Sequence, residues 1–345
     1  MRKSIPFCVI DRPFVVWSDD VSRDRDEFLK SVDADFYDRA VRILTSVPEE
    51  KGDIEKDSKN ETNPKEGDQS RKDISSFARL LWHHGIETLV MMLGAYIQAP
   101  EAVQAYFLKC RTEDAVKIAD ALLDERPPAN HRLSDVPFNI TNLLQGLHLC
   151  AGWSNKDDTI EKFRGALVDM LAAFTSEEHR WEYNSIKHGL RASHGRFALA
   201  VGFEETYGVQ PPPEAMQTIG YSRDASFFSV ARPFRNTTDQ ASRVNFVLHR
   251  VSVAWSLERV LYDLQLLSIL IGNTVSALQI VAGTAPGTVI FRRPADAEEW
   301  WKRYKSFHAG AVLTSSFGIN PDAKGKSLPT SDEVFDSYRR RRWNW

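Results

Sequence analysis

The sequence has few cysteines and no large excess of charge of either sign. Only 3 of its 345 residues are cysteine, and none forms a CxxC pair. Three widely spaced cysteines argue against a disulfide framework and a zinc knuckle, and are typical of a reducing compartment. Lys and Arg number 44 against 47 Asp and Glu, a formal net charge of −3. Any polyanion must therefore bind to a local basic patch rather than to a uniformly basic protein.

The sequence also lacks the common signatures of nucleotide sites and hydrolases. It contains no GxxxxGK[ST] loop, no GxGxxG after a strand and no GxSxG elbow. Asp11 and Arg12 interrupt the first apolar run before it reaches the length of a signal peptide. The most apolar span, 261–281, contains Asp263 and Asn273, so it is too polar for a membrane span. We expect a cytoplasmic protein with no membrane contact and no cofactor.

Hydrophobic periodicity predicts a mainly α protein, a helical bundle with a long helix in its C-terminal half and a small β hairpin or sheet insertion. Residues 48–73 contain one Ile among charged, Gly, Pro and small polar residues, which predicts a disordered linker or loop. The predicted divisions are an N-terminal strand and helix arm over 1–47, this linker, a helical bundle over 74–195, and a β excursion with the long helix and tail over 196–345.

The long helix is predicted over 244–281, as one helix or two in line. Its apolar residues follow a spacing of 4, 3, 4, 3 and 4, at Val253, Leu257, Val260, Leu264, Leu267 and Ile271. Such a seam requires a partner surface. Further apolar residues beside the seam favour a buried central helix, and a homodimer would also satisfy the pattern.

The segment EYNSIKHGLRASHG, residues 182–195, is the main candidate for a functional site. A helix through 180–191 turns about 100° per residue. One face then carries Arg180, Asn184, Lys187, His188 and Arg191. The opposite, core-facing side carries Tyr183, Ile186 and Leu190.

The polar stripe has the chemistry to bind phosphate. Its two arginines could hold phosphate oxygens bidentately, Lys187 adds a point charge, and Asn184 could orient a ligand or the imidazole. His188 could transfer a proton near neutral pH. Tyr183 and His194, which lie in the same segment, complete the set of candidate binding residues. The alternative is a solvated helix end, because C-terminal turns favour cations facing the macrodipole.

A helix with Asn followed by His in a helical bundle resembles the HEPN superfamily, many of whose members are metal-independent ribonucleases of toxin and antiviral systems. The family motif is Arg, a polar residue, and His after four to six intervening residues. Here Arg180 is followed by Trp181 and lies seven intervening residues before His188. The resemblance implies that His188, Asn184 and Arg180 act on RNA in a homodimeric cleft. The rival hypothesis is a non-catalytic scaffold or regulatory subunit that binds a protein partner.

Two other segments have chemical potential. His83 and His84 lie four and three residues before Glu87, which allows a metal ligand pair but favours a histidine hydrogen-bonded to Glu87, so we predict no metal site. The tail RRRRWNW, residues 339–345, has the composition of a nucleic-acid contact and also of a solubilising end. Trp300 and Trp301 could extend that surface, with one of them expected in the core.

Overall fold

The computed structural model describes residues 4–46, 66–128, 131, 138–147, 156–188, 191–204, 209, 211–233, 246–294, 296–307, 312–313 and 331–341. The chain divides into two compact units. The first contains Met1–Arg180 and Ser256–Ala309, and the second contains Trp181–Trp255 and Gly310–Trp345. This division differs from the predicted one because the long helix folds with the N-terminal helices, not with the β segment beside it in sequence.

The first unit is a helical bundle with a two-stranded hairpin at its N-terminal end. Its elements before the second unit are β1 (Ser4–Val9), β2 (Arg12–Trp17), α1 (Ser18–Ser31), α2 (Phe36–Ser46), α3 (Glu66–Gln98), α4 (Val103–Lys109), α5 (Thr112–Leu123), α6 (Ile140–Gly146) and α7 (Lys156–Thr175). Helices α9 (Leu257–Val281) and α10 (Ala297–Ser306) complete it. Helix α8 (Glu177–Lys187) crosses the boundary between the units.

Helix α9 is the central helix of the first unit, and it packs mainly on α3 and α2. Its seam residues Leu257, Leu264 and Ile271 are all buried, so the prediction of a buried central helix is confirmed. Ser256 caps its first turn by accepting a hydrogen bond from the backbone N–H of Arg259. Within the described residues, α9 alone is long and apolar enough to cross a membrane, but 72% of that window is buried inside the protein.

The second unit contains a small antiparallel sheet. Strand order is β3 (Ala192–Val201), β4 (Gln217–Pro233), β5 (Phe246–Trp255) and the two-residue β6 (Val312–Leu313). The pairing of β3 with β4 shifts register between Gly195 and Phe197 and again between Leu199 and Ala200, whereas β4 and β5 pair without a shift. Helix α11 (Ser331–Arg341) also belongs to this unit. The predicted β insertion is confirmed.

The long helix is shorter than predicted, because its first part is a strand. Residues 246–255 form β5, and Val253 belongs to that strand. The large apolar residues Val251, Val253 and Trp255 stand at every second position of this strand and are buried. This period of two predicts a strand, but the same residues also fit the helical seam. The apolar residues 289–291 predict a short strand over 289–292, which is also wrong: that stretch forms no strand and follows a short 3-10 turn at Pro286–Thr288.

Two predicted boundaries in the N-terminal part are corrected as well. Apolar residues recur at roughly helical spacing over 26–45, which predicts one helix. The stretch is instead divided between α1 and α2, because the Asp33 side chain accepts a hydrogen bond from the Asp35 backbone N–H and turns the chain. Helix α3 begins at Glu66, inside the predicted linker. The remaining linker residues, 48–65, lie outside the described part of the chain.

Candidate functional site

Helix α8 begins where Ser176 interrupts the preceding helix. The Ser176 hydroxyl accepts a hydrogen bond from the backbone N–H of His179 at 3.3 Å, which satisfies one of the free donors of the first turn. Thr175 and Glu178 have the spacing of a capping box, which predicts that the helix starts at Thr175, but the observed cap is one residue later. Thr175 completes α7 instead, with its hydroxyl donating to the Ala172 carbonyl at 3.2 Å.

The exposed stripe of α8 lies on the face that helical spacing predicted. Arg180, Asn184 and Lys187 are exposed, and His188 is exposed in the turn that follows. The opposite face buries Tyr183 at 6% exposure and also Ile186. Tyr183 is thus a core residue rather than a binding residue, although the Lys187 ammonium lies 5.2 Å from the centre of its ring.

The helix ends at Lys187, four residues earlier than the predicted stripe. The backbone N–H of Arg191 donates to the Ser185 carbonyl at 2.8 Å, and the Arg191 Nε donates to the His188 carbonyl at 3.0 Å. A guanidinium that binds the last carbonyls complements the negative end of the helix dipole. Arg191 therefore stays beside His188 through a turn, although it is not on the helix.

Arg180 does not belong to the same compact unit as the other stripe residues. It belongs to the first unit, whereas Asn184, Lys187, His188 and Arg191 belong to the second. In the first unit Arg180 lies near Asp120: burial raises the pKa of the Asp120 carboxyl, and the positive charge of Arg180 opposes that rise. A neighbouring carboxylate makes Arg180 a weaker phosphate ligand than the exposed cations beyond it.

His194 lies in strand β3 rather than on the helix stripe. It is half-buried, pairs across the strands with Ser226, and packs edge-on against Trp255 with 6.4 Å between ring centroids. The structure therefore places this histidine against the covered face of the sheet, apart from the exposed residues at the end of α8.

A buried polar cluster holds α8 against the sheet. Glu182 is completely buried and accepts a hydrogen bond from the hydroxyl of Ser226, which in turn accepts one from Trp255 Nε1 at 3.1 Å. Buried polar groups stabilise a fold only when they are paired, and these three residues pair with one another. They fix the rotation of α8, so that Asn184 and Lys187 point away from the sheet.

The sheet adds exposed arginines that the sequence reasoning did not single out. Arg196 in β3, Arg223 and Arg232 in β4, and Arg250 in β5 are all exposed. The one acidic residue in these three strands, Asp224, is buried at 4% exposure. The available sequence signal is the near absence of acidic residues from the segments that form these strands. Together with Lys187 and Arg191, these four strand arginines, which come from both faces of the sheet, are what we call the basic surface.

One cavity lined by described residues has a different character. It lies in the first unit and has a volume of about 490 Å³. Arg292 in its wall pairs with Asp35, and Arg303 pairs with Glu299. Because these arginines are neutralised by carboxylates of the same wall, the cavity is a poor site for a phosphate group.

The histidine pair of α3 is used in the packing of the first unit. His83 is buried, while His84 shares a hydrogen bond of 2.8 Å with the Tyr37 hydroxyl and Glu87 accepts one of 2.7 Å from Thr112. In the part of the chain that the structure describes, no group of three or more His, Cys, Asp or Glu side chains could hold a metal ion.

The aromatic pair of α10 also belongs to the first unit. Trp300 is buried and Trp301 is half-buried, so one tryptophan is in the core as predicted. The tail lies largely outside the described residues: 342–345 are not described, and nothing is established for the side chains of 339–341.

Comparisons with known proteins give no counterpart for this arrangement. No family model, no curated protein and no solved structure matches the chain. The HEPN resemblance therefore stays a prediction based on the residues around Asn184 and His188, and function has to be argued from the geometry of the second unit.

Proposed function

We propose that this protein binds RNA, with backbone phosphates held by the basic surface of the second unit. One observation supports the proposal more than any other. The described segments 181–188, 191–201, 217–233 and 246–255 carry six exposed Lys and Arg side chains, and their two acidic residues, Glu182 and Asp224, are buried. Like charges gathered on these segments repel one another, and a polyanion relieves that repulsion.

The types of cation suit phosphate contact. Five of the six are arginines, whose planar guanidinium presents paired N–H donors to phosphate oxygens. Arg191 uses its Nε on the His188 carbonyl, which orients the group and leaves its terminal nitrogens for a ligand. The other exposed acids among the described residues of the second unit lie in other segments, at Glu204 and Glu214 between β3 and β4 and at Asp332, Glu333 and Asp336 in α11.

The rival hypothesis, a scaffold that binds a protein through the helical seam, loses its contact surface. The seam residues of α9 are buried within the first unit, and Val253 is buried in β5. A homodimer stays a prediction, but it would have to use another surface. The rival hypothesis then requires an acidic protein to bind to the basic surface, and competition between that protein and RNA tests it.

The HEPN resemblance adds a cleavage hypothesis to RNA binding. In that reaction the 2′-oxygen forms a bond to the adjacent phosphorus and the bond to the 5′-oxygen breaks. The products are a 2′,3′-cyclic phosphate and a 5′-hydroxyl, with one proton lost by the 2′-hydroxyl and one gained by the leaving oxygen. His188 is the candidate for one proton transfer, and Arg191, in the same unit, for holding the developing charge.

The binding proposal is tested by the salt dependence of RNA affinity. Each phosphate contact on single-stranded nucleic acid contributes about −0.7 to the slope of log affinity against log salt. The double variant Lys187→Gln/Arg191→Gln should therefore weaken RNA binding and make the slope shallower by about 1.4. Fluorescence anisotropy of a labelled RNA measures both quantities between about 50 and 200 mM salt, where affinity changes strongly.

The matched control is Lys30→Gln/Lys117→Gln, which removes two exposed lysines of the first unit. This control should leave affinity and slope unchanged. Equal losses in both double variants, or affinity that does not respond to salt, would contradict the proposal. Binding of an acidic protein in preference to RNA at the same salt concentration would favour the rival.

Cleavage is tested separately, with labelled RNA in EDTA and with His188→Ala beside the wild type. Products from the wild type alone, and none from DNA of the same sequence, would support the reaction. Cleavage by both proteins, or of both nucleic acids, would rule out His188 and the 2′-hydroxyl mechanism. A protein that binds RNA and does not cut it retains the binding function.

A further inference from the structure

Two aromatic rings and an arginine lie in a row on one face of the sheet in the second unit. The rings of Phe197 in β3 and Phe227 in β4 have centroids 6.4 Å apart, and the Arg250 guanidinium carbon lies 6.0 Å from the centre of the Phe227 ring. A Cβ added at Gly195 would lie 3.9 Å from Phe227, so this ring extends over the glycine. We call these three side chains the stacking row.

The strand register explains why the row forms. Phe227 pairs with Ser193 on one side and with Ser252 on the other, and Arg250 pairs with Ser229, the second residue after Phe227. Residues two apart on a strand share a face, so Phe227 and Arg250 lie on the same side of the sheet. The glycine in β3 leaves room for Phe227 to lean toward Phe197.

This part of the sheet face is accessible. Both phenylalanines are half-buried, Arg250, Ser193 and Ser229 are exposed, and Leu248 is exposed at 58%. The adjoining part of the same face, at Ala225 and Ala254, is buried, so the row lies where the covered part of the face ends.

We infer that the stacking row holds unstacked bases of single-stranded RNA. The inference rests on the proposed function and names its substrate class: phosphates bind to the basic surface, and bases stack on Phe197, Phe227 and the Arg250 plane. Exposed arginines in the same strands complement the negative charge of RNA phosphates, whereas an apolar protein partner would not require them. Stacking on aromatic rings requires an exposed base face, which a duplex does not offer.

The preference for single strands follows from this chemistry. Every base has a π face, so the row should accept any of the four bases with little sequence preference. Arg250 has two roles, because its guanidinium can stack on a base and its charge attracts the backbone. The row therefore adds affinity that does not depend on salt to the salt-dependent binding by the basic surface.

The test compares a single-stranded RNA with a duplex RNA of the same length, using wild type, Phe227→Leu and Phe197→Leu. Loss of one stacking ring should weaken single-strand binding between about 5-fold and 150-fold and leave the salt slope unchanged. Duplex affinity should be unaffected. The control is Phe77→Leu, the same change at an exposed ring of the first unit.

A second measurement uses the wild type alone and does not depend on the variants folding. Single-stranded RNA carrying 5-iodouridine is crosslinked by light, and the attached peptide is identified. We expect attachment at Phe227 or Phe197. Crosslinks confined to other residues would overturn the stacking row, even where the leucine variants are unfolded.

The outcomes separate this inference from the proposed function. Equal wild-type affinity for single-stranded and duplex RNA, with no effect of either leucine variant, rules out the row while the basic surface stands. No salt-dependent binding to either RNA rules out both. If single-stranded DNA binds as well as single-stranded RNA, the stacking row contacts the base faces and makes no contact with the 2′-hydroxyl.

Discussion

Replacing the buried Asp263 with asparagine should abolish a specific part of the pH dependence of stability. Asp263 lies on α9 and is only 4% exposed, and its carboxylate accepts a hydrogen bond from Trp82 Nε1 at 2.8 Å. Burial raises the pKa of this carboxyl from 3.8 to about 6, against the opposing charge of Arg259, whose Nε lies 3.5 Å away. Arg259 also pairs with Asp169, so its charge is shared between two carboxylates.

The sign of the effect follows from which state holds the proton. Between the two pKa values the folded protein keeps Asp263 protonated while the unfolded chain has lost that proton, so stability from this group is greatest at low pH and falls as pH rises toward 6. At about 1.36 kcal/mol per pKa unit the full loss is about 3 kcal/mol. Of this loss in the free energy of unfolding, about 2 kcal/mol occurs between pH 4.5 and 7.5.

Urea unfolding of wild type and Asp263→Asn across that pH range measures the difference directly. The asparagine keeps an oxygen that can accept the Trp82 hydrogen bond, and all other titrating groups are common to both proteins. The stability of the variant relative to wild type should increase by about 2 kcal/mol from pH 4.5 to 7.5. A difference that stays constant with pH, or that changes in the opposite direction, would refute the reasoning.

Two further predictions concern packing and capping. Gly94→Ala should destabilise the protein by about 1–3 kcal/mol, because its new methyl group would overlap the hydroxyl of buried Tyr106, whereas Gly287→Ala meets no atom within 4 Å and should leave the unfolding midpoint unchanged. Ser176→Ala should cost about 1 kcal/mol, since the N–H of His179 loses its cap, and Ser176→Asn should restore most of it. Equal unfolding midpoints for Gly94→Ala and Gly287→Ala would contradict the packing prediction. Equal stability of Ser176→Ala and Ser176→Asn would contradict the capping prediction.

Local periodicity was sufficient where one face of a helix meets the core. Ile160, Phe163, Leu167 and Leu171 follow one another at steps of three and four, which predicts a helix over 157–174. Helix α7 occupies that stretch with all four side chains buried. The exposed stripe of α8 was predicted for the same reason, because residues three and four apart share a helix face. These features depend only on neighbours along the chain.

Periodicity failed where two patterns coincide. Val253 continues the seam of α9 at helical spacing, and it also shares one sheet face with Val251 and Trp255, each two residues away. The choice was made by pairing with β4, where the partner of Val253 is Ser226, 27 residues earlier in the sequence (253 − 226). Pairing partners at that separation are not visible in a local window.

The sequence by itself determined a mainly helical fold, a β insertion, and a cationic stripe that faces away from the core of its helix. Only the tertiary structure decided that the seam of α9 is buried in its own unit, and that Glu182 is covered by Ser226 and Trp255. It also brought Phe197, Phe227 and Arg250 together from three strands. The physical reason is that periodicity records which face of an element avoids water, whereas strand pairing and burial depend on residues distant in sequence.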